Sequence, residues 1–287
     1  MPRDTLAPIL DDHLHGHGRL RVWSLIVTFL GDAIEPRGGR VQAARIGAIL
    51  DRLGVGRAAQ RTALSRLVAD GWIDREKDPE DGRASIYGLS CGGRDAFTPA
   101  ARLVYAAPGH VTGGDWIATR SDDPRGIMIG PGVGLWPAAF PPRTSGVTLR
   151  GHIETHAAGS DRVTPDADQR AETEAIGELA ELIRDMPADQ DGLDAMAART
   201  VLVHRWRRHV LRHPEWPAAL VPADWPGLML RQRVADAYRA TWPGSSRWLS
   251  RPGPGFPALP PDASAGRFGA GACRSGGNGP ATGATGG

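Results

Sequence analysis

Hydrophobic residues recur at helical spacing in three consecutive segments near the start of the chain. The apolar segment 20–30 has the length of a helix, and the Pro-Arg-Gly-Gly sequence at 36–39 ends it. A second helix carries apolar residues at i, i+3, i+4 and i+7, namely Ile46, Ile49, Leu50 and Leu53. After a turn at 54–56, a third helix over 57–69 has its inward residues at Ala63, Leu64, Leu67 and Val68. The pattern predicts a helix-turn-helix.

Two short strand-like segments follow the third helix. Gly71 ends that helix, and the segments 72–73 and 85–89 have the composition of strands. The loop at 78–83, Asp-Pro-Glu-Asp-Gly-Arg, is built of turn-forming residues. Helix, helix, turn, helix and hairpin is the order of a winged helix-turn-helix. We therefore predict a DNA-binding domain over 19–105.

The rest of the chain divides by composition. Residues 106–165 are rich in Gly, Pro and Trp with two candidate strands, 115–119 and 126–129, which predicts a small β-containing module. Residues 166–251 are predicted to be a helical effector and dimerisation domain. Its apolar stripes are Ile176, Leu179, Ala180 and Ile183, then Met196, Val203, Trp206 and Val210. The expected fold class is α+β, mainly helical.

Both ends of the chain are predicted to lack a fixed structure. Residues 1–18 form a polar leader rich in His and Gly. Residues 252–287 hold eleven Gly and six Pro in 36 residues, without hydrophobic periodicity. We expect this tail to be disordered, so that its removal changes neither DNA binding nor ligand binding.

Charge becomes informative when it is followed along the chain. The net charge of +2 is too small to indicate a nucleic-acid partner. Residues 37–66, however, hold seven arginines and one acid, Asp51, a local charge of +6. Such a cluster is typical of a phosphate-binding surface, although a solvated helical surface explains the charge equally well.

The outward face of the third helix suits the major groove. Thr62, Ser65 and Arg66 offer donors to base edges between small residues, while Arg57 and Arg61 lie on the flank, where phosphates would be. Gln60 is expected on the buried side. The alternatives are an ordinary amphipathic helix and, for the hairpin loop, a solvated turn. The predicted DNA-binding residues are Arg37, Arg40, Arg57, Arg61, Thr62, Ser65, Arg66, Lys77 and Arg83.

Neither a metal nor another cofactor is predicted. Cys91 and Cys273 fit neither a disulfide framework nor a zinc site, and no histidine group shows a third ligand or a shared face. These groups are His13, His15 and His17 in the leader, the pair His152 and His156, and the set His204, His209 and His213.

No catalytic motif is present, so an enzyme is not expected. The enzyme alternative, a metal-dependent nucleic-acid-processing activity, would depend on Asp115, Asp122 and Asp123. No apolar run is long enough to cross a bilayer, and no secretory signal is evident. A cytoplasmic protein is the expectation.

Several segments resemble the PaaX family of phenylacetate-repressor proteins. At the N-terminal side these are LIVTFLGD at 25–32, PRGG at 36–39 and RTALSRLVADGW at 61–72. At the C-terminal side they are LVHRWRR at 202–208, His213-Pro214 and LVPADWPG at 220–227. The loop at 78–83 also resembles the wing of MarR-type repressors. A MarR-like regulator with another ligand is the alternative.

The resemblance implies a homodimeric repressor of aromatic-acid catabolism that an aryl-CoA thioester, such as phenylacetyl-CoA, releases from operator DNA. Between Thr119 and Gly126 the chain looks shorter than the ferredoxin-like middle domain of relatives. We expect the effector between the middle module and the helical domain. The candidate residues, with the arginines facing phosphates, are Arg205, Arg208, Arg212 and Trp225. The alternative is a surface-charged helix packed through Trp206.

Overall fold

The computed structural model describes residues 21–154, 165–187, 191–263 and 266–269. In residues 21–105, the first region, the three predicted helices are present, and the third of these helices has the predicted bounds. A π-helical turn, Leu30–Ile34, and a short 3-10 helix, Glu35–Arg37, prolong the first helix until Gly38 and Gly39 take positive φ. The elements are α1 (Val22–Phe29), β1 (Val41–Gln42), α2 (Ala43–Arg52) and α3 (Arg57–Ala69).

A hairpin and an additional helix complete this region. β2 (Ile73–Lys77) and β3 (Ser85–Leu89) pair antiparallel, and β1 joins the other edge of β3. The additional helix, α4 (Cys91–Val104), is not predicted from the sequence, because two glycines in its first turn and Pro99 hide its periodicity. Its start is nevertheless well defined, since the Ser90 hydroxyl accepts a hydrogen bond from the Gly93 N–H at 2.9 Å.

The middle region is a small antiparallel sheet. Its strands are β4 (Trp116–Arg120), β5 (Ile127–Gly130), β6 (Val133–Pro137) and β7 (Leu149–Gly151). β4 and β5 are the two candidate strands, and the order in the sheet is β5-β6-β4-β7. No helix lies between β4 and β7, so the helices of a ferredoxin-like domain are missing from this stretch.

Three long helices form the third region, α5 (Ala167–Arg184), α6 (Gly192–Val210) and α7 (Leu230–Leu249). Both predicted apolar stripes are buried. α6 also packs on α1, and one continuous core joins the first and third regions. In the described part of the chain, no helix is long and apolar enough to cross a membrane.

The prediction of a disordered tail is wrong for residues 252–263 and 266–269. Leu259 is buried, and Phe268 is only 1% exposed although its φ of 52° is unusual for a residue other than glycine. Two isolated apolar side chains thus enter the core from a segment that has no periodicity. The leader with its three histidines, His156 and residues 270–287 lie outside the described residues.

Candidate nucleic-acid interface

One side of α3 is fixed firmly to the rest of the first region. Ala63 and Leu67 are buried, whereas Val68, predicted to face inward, lies at the surface. Gln60 is buried, as predicted, and its amide nitrogen donates to the Val55 carbonyl at 2.7 Å and to Asp51 at 2.6 Å. These bonds tie α3 to α2 and to the turn at 54–56. The packing of the inner face of α3 therefore fixes where its opposite face points.

That opposite face is open to solvent. Arg61, Thr62, Ser65 and Arg66 are all exposed, as the helical wheel predicts. Arg66 lies 3.4 Å from the Asp70 carboxylate, but both side chains are more than half exposed. Exposed ion pairs of this kind contribute at most about 1 kcal/mol, so Asp70 does not hold Arg66 away from another anion.

The flanking arginines of the predicted interface also remain exposed. Arg57 donates to the Asp51 carboxylate at 2.7 Å, and Arg40 pairs with Glu76 at 2.8 Å. Both pairs are exposed enough for solvent and salt to screen them. These two cations are therefore available to phosphates at the edge of α3 and near the hairpin.

Arg37 is a correction to the predicted DNA-binding set. Its side chain is 3% exposed, and it donates to the Pro260 carbonyl at 2.8 Å and to the Ser250 hydroxyl at 3.2 Å. The Asp262 carboxylate lies 3.8 Å from its Nε atom. Arg37 therefore stabilises the packing of the C-terminal segment and cannot reach DNA.

Two further arginines of the basic stretch also turn inward. Arg45 is fully buried and donates to three carbonyls, with its guanidinium 4.1 Å from the Phe256 ring centroid. Burial lowers the pKa of Arg45 to about 10. Arg52 donates to Asp194 at 2.5 Å. The outward positive charge of 37–66 is thus smaller than the sequence suggests.

The hairpin loop presents Lys77 and Arg83 to solvent, as predicted. Its acids shape the turn, since Asp78 accepts from the Glu80 N–H at 2.9 Å and Asp81 accepts from the backbone N–H of Arg83 at 3.0 Å. The bond from the Glu80 N–H, followed by one from Gln42, holds the pKa of Asp78 below its usual value. The carboxylates of Asp78 and Asp81 therefore satisfy backbone donors of the turn, while Lys77 and Arg83 remain exposed.

The predicted effector residues do not converge on an open cavity. Arg205 is buried, which contradicts its predicted outward position, because α6 is covered on several sides. Trp225 is buried against the sheet, with the guanidinium of Arg170 lying 5.0 Å from its ring centroid. Arg208 is half-buried and Arg212 is exposed. Trp206 is 1% exposed, so α6 packs through this side chain, but the buried Arg205 shows that α6 is not the surface-charged helix of that alternative.

A cleft of about 610 Å³ lies elsewhere on the molecule. Its walls come from the end of α4, the β4–β5 loop and the segment after β6, with Arg102, Phe140 and Arg143 among its lining residues. Arg125 also lines it but is engaged, since its Nε donates to Asp123 at 2.9 Å. The cleft combines exposed cations with an aromatic wall.

The three acids of the enzyme hypothesis do not gather. Asp123 is occupied by Arg125, and Asp115 lies 3.2 Å from the Nδ1 atom of His152. Asp122 is exposed at the rim of the cleft. Among the described residues, the group with metal-binding geometry is a different one, Glu172, His209 and His213.

A buried charge cluster that was not predicted from the sequence joins the first region to the third and to the tail. Asp32 accepts hydrogen bonds from Arg199 at 2.7 Å, Tyr105 at 2.7 Å, Arg267 at 2.8 Å and Tyr238 at 3.2 Å. The available signal was an acid at the end of the apolar run LIVTFLGD. A carboxylate carried into a core requires buried cationic partners.

Two family models match this chain. The model described as PaaX-like protein matches residues 21–93, and the model for the PaaX-like protein C-terminal domain matches residues 170–251. The chain therefore belongs to the PaaX-like family. The transcriptional repressor PaaX of Escherichia coli (strain K12) is 27% identical over 266 residues, which cover 80% of this chain and 83% of that relative. These similarities point to a transcriptional regulator and not to an enzyme.

Two solved structures are similar in part. The uncharacterized protein Rv0674 from Mycobacterium tuberculosis has a TM-score of 0.46 and 21% identity, covering 77% of this chain and 95% of that one. A mutant of MarR from E. coli, complexed with operator DNA, has a TM-score of 0.23 and 22% identity. That similarity covers 35% of this chain and 66% of the MarR chain.

Proposed function

We propose that this protein is a DNA-binding transcriptional repressor that uses a winged helix-turn-helix. The observation that carries the proposal is α3, whose inner face is fixed by Gln60 and the core while its outer face presents Thr62, Ser65 and Arg66. In such a protein α3 enters the major groove, and the β2–β3 hairpin contacts the neighbouring backbone. The family relationship to a transcriptional repressor supports this assignment.

Substitutions on α3 test the docking. Arg66→Ala is expected to weaken operator binding by about 1–3 kcal/mol and to relax specificity, because Arg66 lies where base edges would be. Arg61→Ala is expected to weaken binding to all DNA sequences and to reduce the salt slope by about one phosphate contact. Both are measured by fluorescence anisotropy on a fragment from the protein's own promoter region and on an unrelated fragment, at several salt concentrations.

Arg233→Ala is the matched control, because it removes a half-exposed cation of α7 that pairs with Glu181 at 3.3 Å. It should leave affinity and salt slope unchanged. Unchanged operator affinity in Arg66→Ala would contradict the proposed orientation of α3. Loss of binding in all three variants alike would indicate a general effect of charge and not a recognition helix.

The proposal includes a homodimer on a two-fold-related operator. One recognition helix covers only a short half-site, and two-fold symmetry doubles it, with half-sites about 10 bp apart or a multiple of that spacing. Analytical ultracentrifugation of the protein, alone and with its operator, measures the stoichiometry. A single copy in both samples would exclude the dimer.

We further propose that an aryl-CoA thioester, of the phenylacetyl-CoA type, releases the repressor and thereby induces aromatic-acid catabolism. The buried positions of Arg205 and Trp225 move our proposed binding site to the cleft beside α4. Arg102 and Arg143 would meet the phosphates, since guanidinium groups match phosphate geometry, and Phe140 would contact the aryl group.

Coupling from this cleft to the DNA-binding surface has a short physical route. α4 lines the cleft with Pro99 and Arg102 and begins directly after β3. At its start, the Ser90 hydroxyl donates to the Gly71 carbonyl at 2.6 Å, just beyond α3. A ligand that binds better to a displaced α4 would therefore disfavour the DNA-bound position of α3, with a typical coupling of about 1–3 kcal/mol.

Calorimetry with phenylacetyl-CoA and with free CoA tests the effector, and anisotropy measures operator release. Arg143→Ala should weaken binding of the thioester, while Arg212→Ala, at the site first expected from sequence, should not. No heat and no loss of DNA affinity at millimolar thioester would reject this effector class. Weakened binding in Arg212→Ala alone would return the site to the end of α6.

A further inference from the structure

Three potential metal ligands meet where α5 passes the end of α6. Glu172 is on α5, His209 lies in the last turn of α6, and His213 follows that helix. The Glu172 Oε2 atom is 3.0 Å from His213 Nε2 and 3.7 Å from His209 Nδ1. All three ligand atoms lie within 4.8 Å of one another. α5 thus contributes one donor atom, and the end of α6 with the residues after it contributes two. Elements distant in sequence bring these three atoms into one small volume.

The position of the His209 ring distinguishes this group from an ordinary surface ion pair. His209 is 4% exposed, and its Nδ1 atom is buried without a hydrogen-bond partner among the described residues. The distance of 3.7 Å to Glu172 is too long for a hydrogen bond. A buried nitrogen without a partner costs free energy unless something else satisfies it, and this nitrogen faces the other two ligands.

Neighbouring contacts hold both imidazoles in place. The His209 ring stacks on Trp206, with centroids 6.1 Å apart and 27° between the planes. The backbone N–H of His213 donates to the His209 carbonyl at 2.9 Å, which closes a helical turn and brings both rings to one side. His204, His209 and His213 were expected to share no face. His204 does lie apart, 3.4 Å from the Thr28 hydroxyl, but His209 and His213 lie together.

We propose that Glu172, His209 and His213 form a binding site for a divalent transition-metal ion, with Zn²⁺ as the best match. Two imidazole nitrogens and one carboxylate oxygen are a recurrent zinc ligand set, and a tetrahedral ion with bonds of about 2.1 Å separates its ligands by about 3.4 Å. The observed separations of 3.0 and 3.7 Å lie on either side of that value.

The site has a route to solvent, and the acid that follows His213 is engaged elsewhere. The side chains of Glu172 and His213 are 25% and 27% exposed, so the fourth coordination position is open to water. Glu215 is close in sequence but forms two hydrogen bonds with Arg231. The ion would join α5 to the end of α6, and it would thereby stabilise the third region. Mg²⁺ and Ca²⁺ prefer all-oxygen sites and should not replace it.

The test uses the full chain with His13, His15 and His17 replaced by alanine, so that the leader contributes no imidazole. This parent protein is stripped with a chelator, supplied with Zn²⁺, dialysed and analysed for bound metal by mass spectrometry. We expect one tightly held zinc per chain, a higher melting temperature with Zn²⁺ but not with Mg²⁺, and tetrahedral absorption bands with Co²⁺.

Glu172→Gln and His213→Ala in the same parent are expected to lose zinc affinity by more than about 100-fold, since even outer partners of metal ligands cost 10–100-fold. His152→Ala removes an exposed imidazole elsewhere and should retain the metal. Circular dichroism establishes that each variant is folded. Glu172→Gln keeps the shape of the side chain and serves if His213→Ala does not fold. Absence of zinc in the parent, or equal zinc in all folded variants, would overturn the proposal.

Discussion

Replacing Asp32 by alanine should destabilise this protein far more than the loss of any surface charge. Asp32 is 1% exposed and accepts four side-chain hydrogen bonds, two of them from Arg199 and Arg267. Without the carboxylate, the fully buried Arg199 would keep its charge but lose its counter-ion. Removing one partner of a buried ion pair costs about 3–5 kcal/mol, and we expect a loss in that range.

Urea unfolding at neutral pH, followed by circular dichroism, measures the difference in free energy of unfolding. Glu181→Ala is the control, because its partner Arg233 is 3.3 Å away and both side chains are more than 40% exposed. Exposed pairs contribute about 0–1 kcal/mol. If Asp32→Ala lost no more than this control, the buried cluster would not hold the first and third regions together.

The difference in free energy of unfolding between wild type and Asp32→Ala should also depend on pH, and the pKa of Asp32 gives the sign of that dependence. Burial raises the pKa of Asp32, but the positive charges of Arg199 and Arg267 outweigh it and leave the pKa below its usual value. Since the pKa of the carboxyl in the unfolded chain is about 3.9, the stabilisation is complete well above that pH and is lost as pH falls through the lower pKa of the folded state. The gap between wild type and Asp32→Ala should therefore be constant from neutral to mildly acidic pH and shrink below about pH 4.

Two further perturbations address the tail and the hairpin. Ending the chain at Ser250 should lower the melting temperature because it removes the buried Phe268, whereas ending it at Gly269 should not; equal melting curves would contradict a structural role for the tail. Gly88→Ala should destabilise by about 1–3 kcal/mol, since its Cβ would collide with the Gly39 carbonyl oxygen, and an unchanged urea midpoint would show that the hairpin yields easily.

Local patterns were sufficient to predict the helices around the candidate interface. The i, i+3, i+4, i+7 series of α2 and the outward residues of α3 depend only on helix periodicity and on one buried face. Both predictions hold in the structure, because α2 and α3 pack mainly against other elements of the first region. α4 escaped prediction for a local reason as well, since its first turn carries Gly92 and Gly93 and its interior carries Pro99.

The errors concern side chains whose environment comes from distant parts of the chain. Arg37 and Arg45 belong to the most basic stretch of the sequence, yet their partners are carbonyls and rings more than 200 residues away. Helical periodicity predicts which side of a helix faces inward but not whether a later segment covers the other side. Arg205 was misplaced for the same reason, because α6 is covered on several sides.

The buried contacts between regions also constrain how an effector can release DNA. A rigid shift of the first region against the third would separate the buried Asp32–Arg199 pair, at a cost of about 3–5 kcal/mol, and expose the carbonyl partners of Arg45 at about 1 kcal/mol or more each. That cost exceeds the coupling of about 1–3 kcal/mol that a ligand typically supplies. The last turn of α4 is held by comparable buried bonds, since Trp206 and Arg231 donate to the Val104 carbonyl at 2.8 and 3.2 Å, whereas Pro99 and Arg102 line the cleft. A ligand in the cleft would therefore have to act on α3 through a local shift of α4 between Ser90 and Pro99, and not through displacement of the whole helix.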